Sequence, residues 1–400
     1  MGKKFEPPGE TDYPEIFLAI DNCFASKRYT EPADWMSQIR DLGVSYVEAS
    51  ADNECDPLYQ GRDYLLRWVD KVYHASTRLG VSVCNLYSGH GTYSTLGLAH
   101  TDPLVRERML NCWVKPMMET AAALDAGLGF FCHAFPNPVL QNSELYEKTK
   151  SELIRNLAEV LRFAHSVGCK TVGLEQMYTP HQIPWTIEGS KVLLEQVGEK
   201  SIQPLYLTID TGHQSGQRKF LKPGKEAVIK AIDHLRTGGE SRIWLGSDAA
   251  YQIFENFRDS DGLTDEGPIS LLMKEMDAHP YLFALPADGS TYGWLEELAC
   301  FSPIIHLQQT DGSTSGHWPF TRAYNEKGII DGMRVLEAIR TSYENRQGLM
   351  IPKAGKIYLT IEVFAKTDSI NYYTLAELRE TVRYWRQFIP EDGRRLNELL

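Results

Sequence analysis

The chain has 400 residues, 42% of them hydrophobic, and a formal net charge of −12. That length suits two average domains or one large α/β barrel. The acidic balance argues against a nucleic-acid backbone or an anionic membrane surface as the main partner, and leaves room for a small ligand whose pocket opposes the global sign.

In chain order, the opening MGKKFEPPGETDYPE is polar and proline-bearing. It has no signal-peptide apolar segment, and no later run reaches the ~18 apolar residues of a membrane span. A soluble, cytoplasmic protein is expected. Seven cysteines (Cys23, Cys55, Cys84, Cys112, Cys132, Cys169 and Cys300) form no C-x-x-C pair, which reads as buried thiols in a reducing compartment.

Short β-branched or aromatic runs then alternate with longer segments of helical period, the pattern of βαβ units on a parallel sheet. Strands are predicted at Ile16–Asp21, Val44–Ala49, Val81–Tyr87, Gly127–His133, Thr171–Gln176, Leu205–Asp210, Ile304–Gln308 and Ile357–Val363. Helices are predicted at Ala33–Leu42, Asp63–Leu79, Pro103–Leu124, Ser143–Ser166, Thr186–Val197, Gly332–Tyr343 and Leu375–Phe388. Gly43, Gly80 and Gly168 each stand between a helix and the next strand, where a C′ glycine closes a short loop. Such units fit a (β/α)8 TIM barrel, read as a single domain over 1–400.

The interval between the sixth and seventh strands is too long for one helix, so about 215–300 is expected to be an insertion beside the barrel. Ile243–Asp248 reads as an additional strand or strand end within it. The acidic run Asp259–Gly267 lacks the flanking helix pattern and ligand spacing of a calcium loop and reads as a solvated loop.

A barrel of this type builds its site at the C-terminal strand ends. There the predicted strands place Glu175, Asp210, His306 and Glu362, each within or at the end of an apolar run. A lone buried carboxylate is costly, and four such strand ends offset that cost together by holding one divalent cation. Carboxylates with an imidazole suit Mn²⁺, Mg²⁺, Co²⁺ or Zn²⁺, while the lack of cysteine ligands argues against a closed structural zinc site. Taken singly, each residue reads first as a salt-bridged barrel residue, and Thr208–His213 (TIDTGH) as an ordinary Asx-type turn with His213 exposed; the four strand ends in series reverse that reading.

Glu175, the D-x-G-H of Asp210 and His213, His306 and Glu362 resemble the xylose isomerase-like TIM-barrel superfamily, and within it the ketose 3-epimerases and erythrulose-phosphate epimerases. Glu175-Gln176-Met177 and Ile183–Glu188 support the resemblance. It implies that Glu175, Asp210, His306 and Glu362 are the metal ligands, with manganese as the expected ion, and that His213 contacts a substrate oxygen. It also implies a homo-oligomer. The chemistry then expected is isomerisation or 3-epimerisation of a small sugar or sugar phosphate through an enediolate. Glu175 and Glu362 would be the two acid/base groups, one removing the proton and the other returning it.

His90, in Ser88–Thr92, and His317, in the loop after the seventh strand, are further substrate-binding candidates. Asp21 and Glu48 read as hydroxyl contacts or surface caps, and Tyr87 and Trp113 as core residues. Arg322 or Lys353 could meet a phosphate. Two other functions remain open. One is a multinuclear-zinc phosphodiesterase, since His90, His133, Glu175, Asp210, His213, His306, His317 and Glu362 also resemble the order in endonuclease IV; Ser315-Gly316-His317 lacks its bridging carboxylate. The other is a non-catalytic sugar-binding barrel.

Overall fold

The computed structural model describes residues 13–89, 97–133, 135–257, 266–345 and 348–400. Among them, eight parallel strands form one closed barrel, β1 to β8. They are Glu15–Asp21, Tyr46–Ser50, Ser82–Tyr87, Gly127–Phe130, Val172–Glu175, Tyr206–Asp210, Ile304–Leu307 and Lys356–Ile361. Each pairs with its sequence neighbour, and β8 closes on β1 from Glu15↔Lys356 to Ile20↔Ile361. Arg394–Arg395 adds a short antiparallel contact at the start of β1.

The helices return the chain over the outside. Pro32–Asp41, Arg62–Leu79, Ser143–Val167, Ile187–Gly198, Gly332–Glu344 and Asn371–Trp385 match the periodic segments. Gly43, Gly80 and Gly168 all have φ between 67° and 85°, a conformation glycine adopts without steric penalty. The segment after β3 is broken rather than continuous: a π-helical turn at Leu110–Val114 separates Pro103–Met109 from Lys115–Ala123. Fully buried Trp35, Trp68, Trp113 and Trp385 fill the space between helices and barrel, each contributing a few kcal/mol of apolar burial by the usual ~25 cal/mol per Å².

Between β6 and β7 run the helices Lys225–Arg236, Asp248–Glu255, Glu266–Ala278 and Thr291–Leu298. The last buries Trp294 and Leu295 and leads into β7. Ile243–Asp248 is not a strand. Gly246 takes φ of 83°, and the Ser247 hydroxyl caps the helix Asp248–Glu255 by accepting from the Ala250 amide, so the apolar run serves as a helix lead-in. Most of Asp259–Gly267 lies outside the described residues, as do His90 and the side chain of His133. The described residues hold no helix long and apolar enough to cross a membrane. All seven cysteines are free, and five of them are buried.

Candidate active site

At the C-terminal mouth, β1 ends in Asp21, β5 in Glu175 and β6 in Asp210; His306 lies in β7 and Glu362 just after β8. All five side chains are buried. They surround the His306 imidazole, whose Nδ1 lies 3.3 Å from Glu175 Oε1 and 3.5 Å from Glu362 Oε2. Its Nε2 lies 2.8 Å from Glu48 Oε2.

Asp210 is held by its own turn. The Gly212 and His213 amides donate to its Oδ1 at 2.6 and 3.0 Å, so the Asx turn and the inward carboxylate are one arrangement. The Gln308 side-chain amide donates to both oxygens of Asp210, and its carbonyl accepts the backbone N–H of His317 at 2.7 Å. His213 Nδ1 donates to the Gln176 carbonyl at 2.7 Å, which leaves Nε2 turned toward Asp210 Oδ1 at 3.9 Å. His317 takes φ of 48° and brings Nδ1 to 3.2 Å from Glu362 Oε2.

The electrostatics are those of a proton-sharing cluster. Burial pushes Asp210 up, but His213, His317, His306 and the Gln308 amide outweigh it and bring the carboxyl down to about 2. Burial raises Glu362 well above the ordinary carboxylate range, and Asp210 and Glu175 add to this against His306 and His213. Asp21 is raised by burial and by Glu48 and Glu362. Burial disfavours the charged His306, yet Glu362, Glu48 and hydrogen bonds to Glu175 and Glu48 hold it well above the usual histidine value. His317 is lowered by burial.

These donors fit a divalent cation. Glu175, Asp210 and His306 offer ligand atoms within 4.8 Å of one another, as do Asp210, His317 and Glu362, and also Asp21, Glu48 and His306. Glu362 Oε2 and His317 Nδ1 are buried and, although 3.2 Å apart, are not aligned to hydrogen-bond each other or any other group. Buried polar atoms are rarely left unpaired, and a cation is one way to satisfy them.

Above this floor is a cavity of about 310 Å³. Tyr87, Phe131, Met177, Tyr178 and Phe364 wall it, with His213, Ser315, His317 and Gly89.

The sequence-named residues Glu175, Asp210, His306, Glu362, His213 and His317 therefore converge, while His90 lies outside the described residues. Four other readings need correction. Asp21 and Glu48 are no surface caps, being 1% and 0% exposed beneath the pocket. Tyr87 is not only a core residue, because it lines the cavity and its hydroxyl donates to Glu175 Oε2. Arg322 is exposed and pairs with Glu326. Lys353 precedes β8, at the opposite end of the barrel, and bonds the Tyr343 carbonyl. Gln308 was missed, although an amide one position past β7 on the strand that carries His306 was a usable signal.

A closed parallel barrel with its acids and imidazoles gathered at the C-terminal mouth is a (β/α)8 protein of the class that works at that mouth. More particularly, the chain belongs to the Xylose isomerase-like TIM barrel family, whose model matches residues 36–298. A D-erythrulose 1-phosphate 3-epimerase of Brucella abortus (strain 2308) is 37% identical over 125 residues, which is 31% of this chain and 37% of that relative. The match thus spans well under half of the relative's length. Among solved structures, a protein of Rhodospirillum rubrum ATCC 11170 bearing a xylose isomerase designation aligns with TM-score 0.65 and 16% identity, over 93% of this chain and 99% of its own. An L-ribulose 3-epimerase aligns with TM-score 0.51 and 13% identity, over 94% and 93%. These two likenesses concern the fold alone.

Proposed function

We propose that the chain is a metal-dependent sugar epimerase that inverts the carbon beside the carbonyl of a small ketose by proton transfer. The observation that carries this reading is the placement of Glu175 and Glu362 at the ends of strands three steps apart around the barrel, both facing His306 Nδ1, at 3.3 and 3.5 Å. Epimerisation needs an acid/base group on each face of a planar enediolate, and two carboxylates at one pocket floor supply the pair.

Glu175, Asp210, His306 and Glu362 would hold one divalent cation, with manganese the ion we expect; the donor set suits Mg²⁺, Co²⁺ or Zn²⁺ as well. When bound, it supplies Lewis-acid stabilisation of the negative charge that develops on the substrate oxygens. The remaining work belongs to the side chains. Glu175 and Glu362 exchange a proton with the substrate carbon, one taking and one giving. The Tyr87 hydroxyl orients the Glu175 carboxylate. Nε2 of His213, with Nδ1 tied to the Gln176 carbonyl, receives a substrate hydroxyl. His317 binds substrate beside Glu362, and Phe131, Met177, Tyr178 and Phe364 exclude water from the reacting carbon.

The described lining is carboxylate, imidazole, hydroxyl, thioether and aromatic, which suits a free ketose better than its phosphate, because a buried phosphate seeks arginine or lysine. The relative's name supports the class of reaction, and a C1 phosphate is its own substrate. The same reading takes 1–400 as one barrel domain and about 215–300 as an accessory excursion, supported by the helices that separate β6 from β7.

The test is hydrogen exchange by NMR. Manganese- or magnesium-loaded protein is incubated in D₂O with tetruloses, pentuloses and hexuloses, free and phosphorylated. Deuterium entering the C–H beside the carbonyl, with epimer formation lost in both Glu175→Gln and Glu362→Gln, is the expected result. No exchange with any sugar, while the metal is shown to be bound, would overturn the reading.

A further inference from the structure

Glu48 belongs to neither proposed role. It lies on β2, is 0% exposed, and shares with Asp21 and His306 a set of donor atoms close enough for a cation of its own. Its hydrogen bonds argue for a different task. Oε2 lies 2.8 Å from His306 Nε2, and Oε1 accepts from the Asn85 side-chain amide at 2.6 Å. Both carboxylate oxygens are thus engaged by donors, and Asp21 Oδ1 is itself engaged by the Cys23 amide at 2.6 Å.

We infer that Glu48 is a positioning residue for the metal centre: by accepting the Nε2–H of His306 it fixes the tautomer and ring orientation that turn the Nδ1 lone pair toward Glu175 and Glu362. This rests on the metal reading given above. A histidine ligand commonly gives its second N–H to a carboxylate, which raises its basicity and fixes its ring. A cation seated instead among Asp21, Glu48 and His306 would need Nε2 as ligand while Nδ1 served the first ion. One imidazole would then have to bridge two ions and give up its remaining proton.

The packing supports the assignment. Asn85, which pins Glu48, occupies space that β4 leaves open: a Cβ at Gly127 would lie 2.6 Å from Asn85 Oδ1, and one at Gly129 would lie 3.0 Å from Asn85 Nδ2. The Tyr87 and His306 rings meet in a T-shaped contact, with centroids 4.9 Å apart and planes at 82°. The ring is therefore held both by a hydrogen bond to Glu48 and by an aromatic contact with Tyr87.

The experiment is calorimetric titration of the metal-stripped full-length protein with Mn²⁺ and Zn²⁺, for wild type, Glu48→Gln and Glu48→Ala, with circular dichroism confirming that each variant is folded. Zinc-loaded samples also give the ¹⁵N resonances of the His306 imidazole. The expected outcome is one ion per chain throughout, affinity weakened about 10–100-fold in Glu48→Ala, and a smaller loss in Glu48→Gln, whose amide oxygen still accepts. Wild type should show protonated Nε2 and metal-bound Nδ1, and Glu48→Ala should lose that fixed pattern. Unchanged affinity and unchanged imidazole resonances in folded Glu48→Ala would overturn the inference and leave the metal reading standing. So would a wild-type stoichiometry of two that falls to one, which would make Glu48 a ligand. No ion bound by wild type would remove the metal reading and this inference together. If Glu48→Ala fails to fold, Glu48→Leu, which fills the space without an acceptor, decides by the same two readouts.

Discussion

One Gln308 side chain holds Asp210 and His317 together: its amide nitrogen lies 2.8 and 2.9 Å from the two Asp210 oxygens, and its carbonyl receives the His317 N–H. Hydrogen bonds to a charged group contribute about 1.5–3 kcal/mol each. Gln308→Ala is expected to lower stability by roughly 2–3 kcal/mol and to weaken divalent-ion binding, as read by urea unfolding and by titration. A variant as stable as wild type would show that Asp210 is held by its own turn alone.

The same contact explains Gly212. A Cβ there would lie 2.4 Å from Gln308 Cδ, so Gly212→Ala should displace the amide and cost about 1–3 kcal/mol. Gly198, at the end of the helix Ile187–Gly198, has open space where a methyl would stand. Gly198→Ala serves as the control and should gain about 0.4–1 kcal/mol. Equal behaviour of the two variants in thermal unfolding would refute the steric account.

Tyr87→Phe keeps the aromatic contact with His306 and removes the hydroxyl that donates to Glu175. The expected result is a fall in kcat of about 10–100-fold, the kinetic equivalent of one hydrogen bond to a charged group, with KM changed little. A rise in KM at constant kcat would instead make Tyr87 a substrate contact.

Without a divalent ion, the protein's stability should decline as pH rises from about 5 to 8. Glu362 and His306 both have folded-state values above their unfolded ones, so the folded state holds protons that the unfolded chain has already released, and that advantage is lost as pH climbs. His317 is shifted the other way and opposes the trend. Asp210, brought down to about 2, contributes stability that is lost only in more acid solution, below the ordinary carboxylate value of ~3.9. Melting temperatures of chelator-treated protein across this range check the sign. Saturating Mn²⁺ should reverse the decline, adding about 2.7 kcal/mol at a hundredfold excess over Kd.

How much of this was visible beforehand follows from what a strand period encodes. Alternating or continuous apolar runs located β1 to β8 to within a few residues, and the acids and imidazole that interrupt or end β5 to β8 were conspicuous because burial of such groups is costly. The depth of a side chain relative to residues on other strands is not encoded in any one strand. Hence Glu48 passed for a cap or hydroxyl contact until β2 was set beside β3, where it meets Asn85 in register. Tyr87 was read as core for the same reason, since an aromatic at a strand end looks alike whether it faces helices or the mouth. Ile243–Asp248 misled because a short apolar run has no period of its own, and only the positive φ of Gly246 separates a lead-in from a strand.

The missing side chains of β4 have a practical consequence for anyone reshaping this protein. Gly127 and Gly129 form a mould into which Asn85 and Tyr87 are pressed; a Cβ on Gly129 would come within 3.0 Å of both. Libraries aimed at a new ligand preference should therefore leave that strand untouched and diversify Phe131, Met177, Tyr178 and Phe364, the replaceable panels around a fixed hearth.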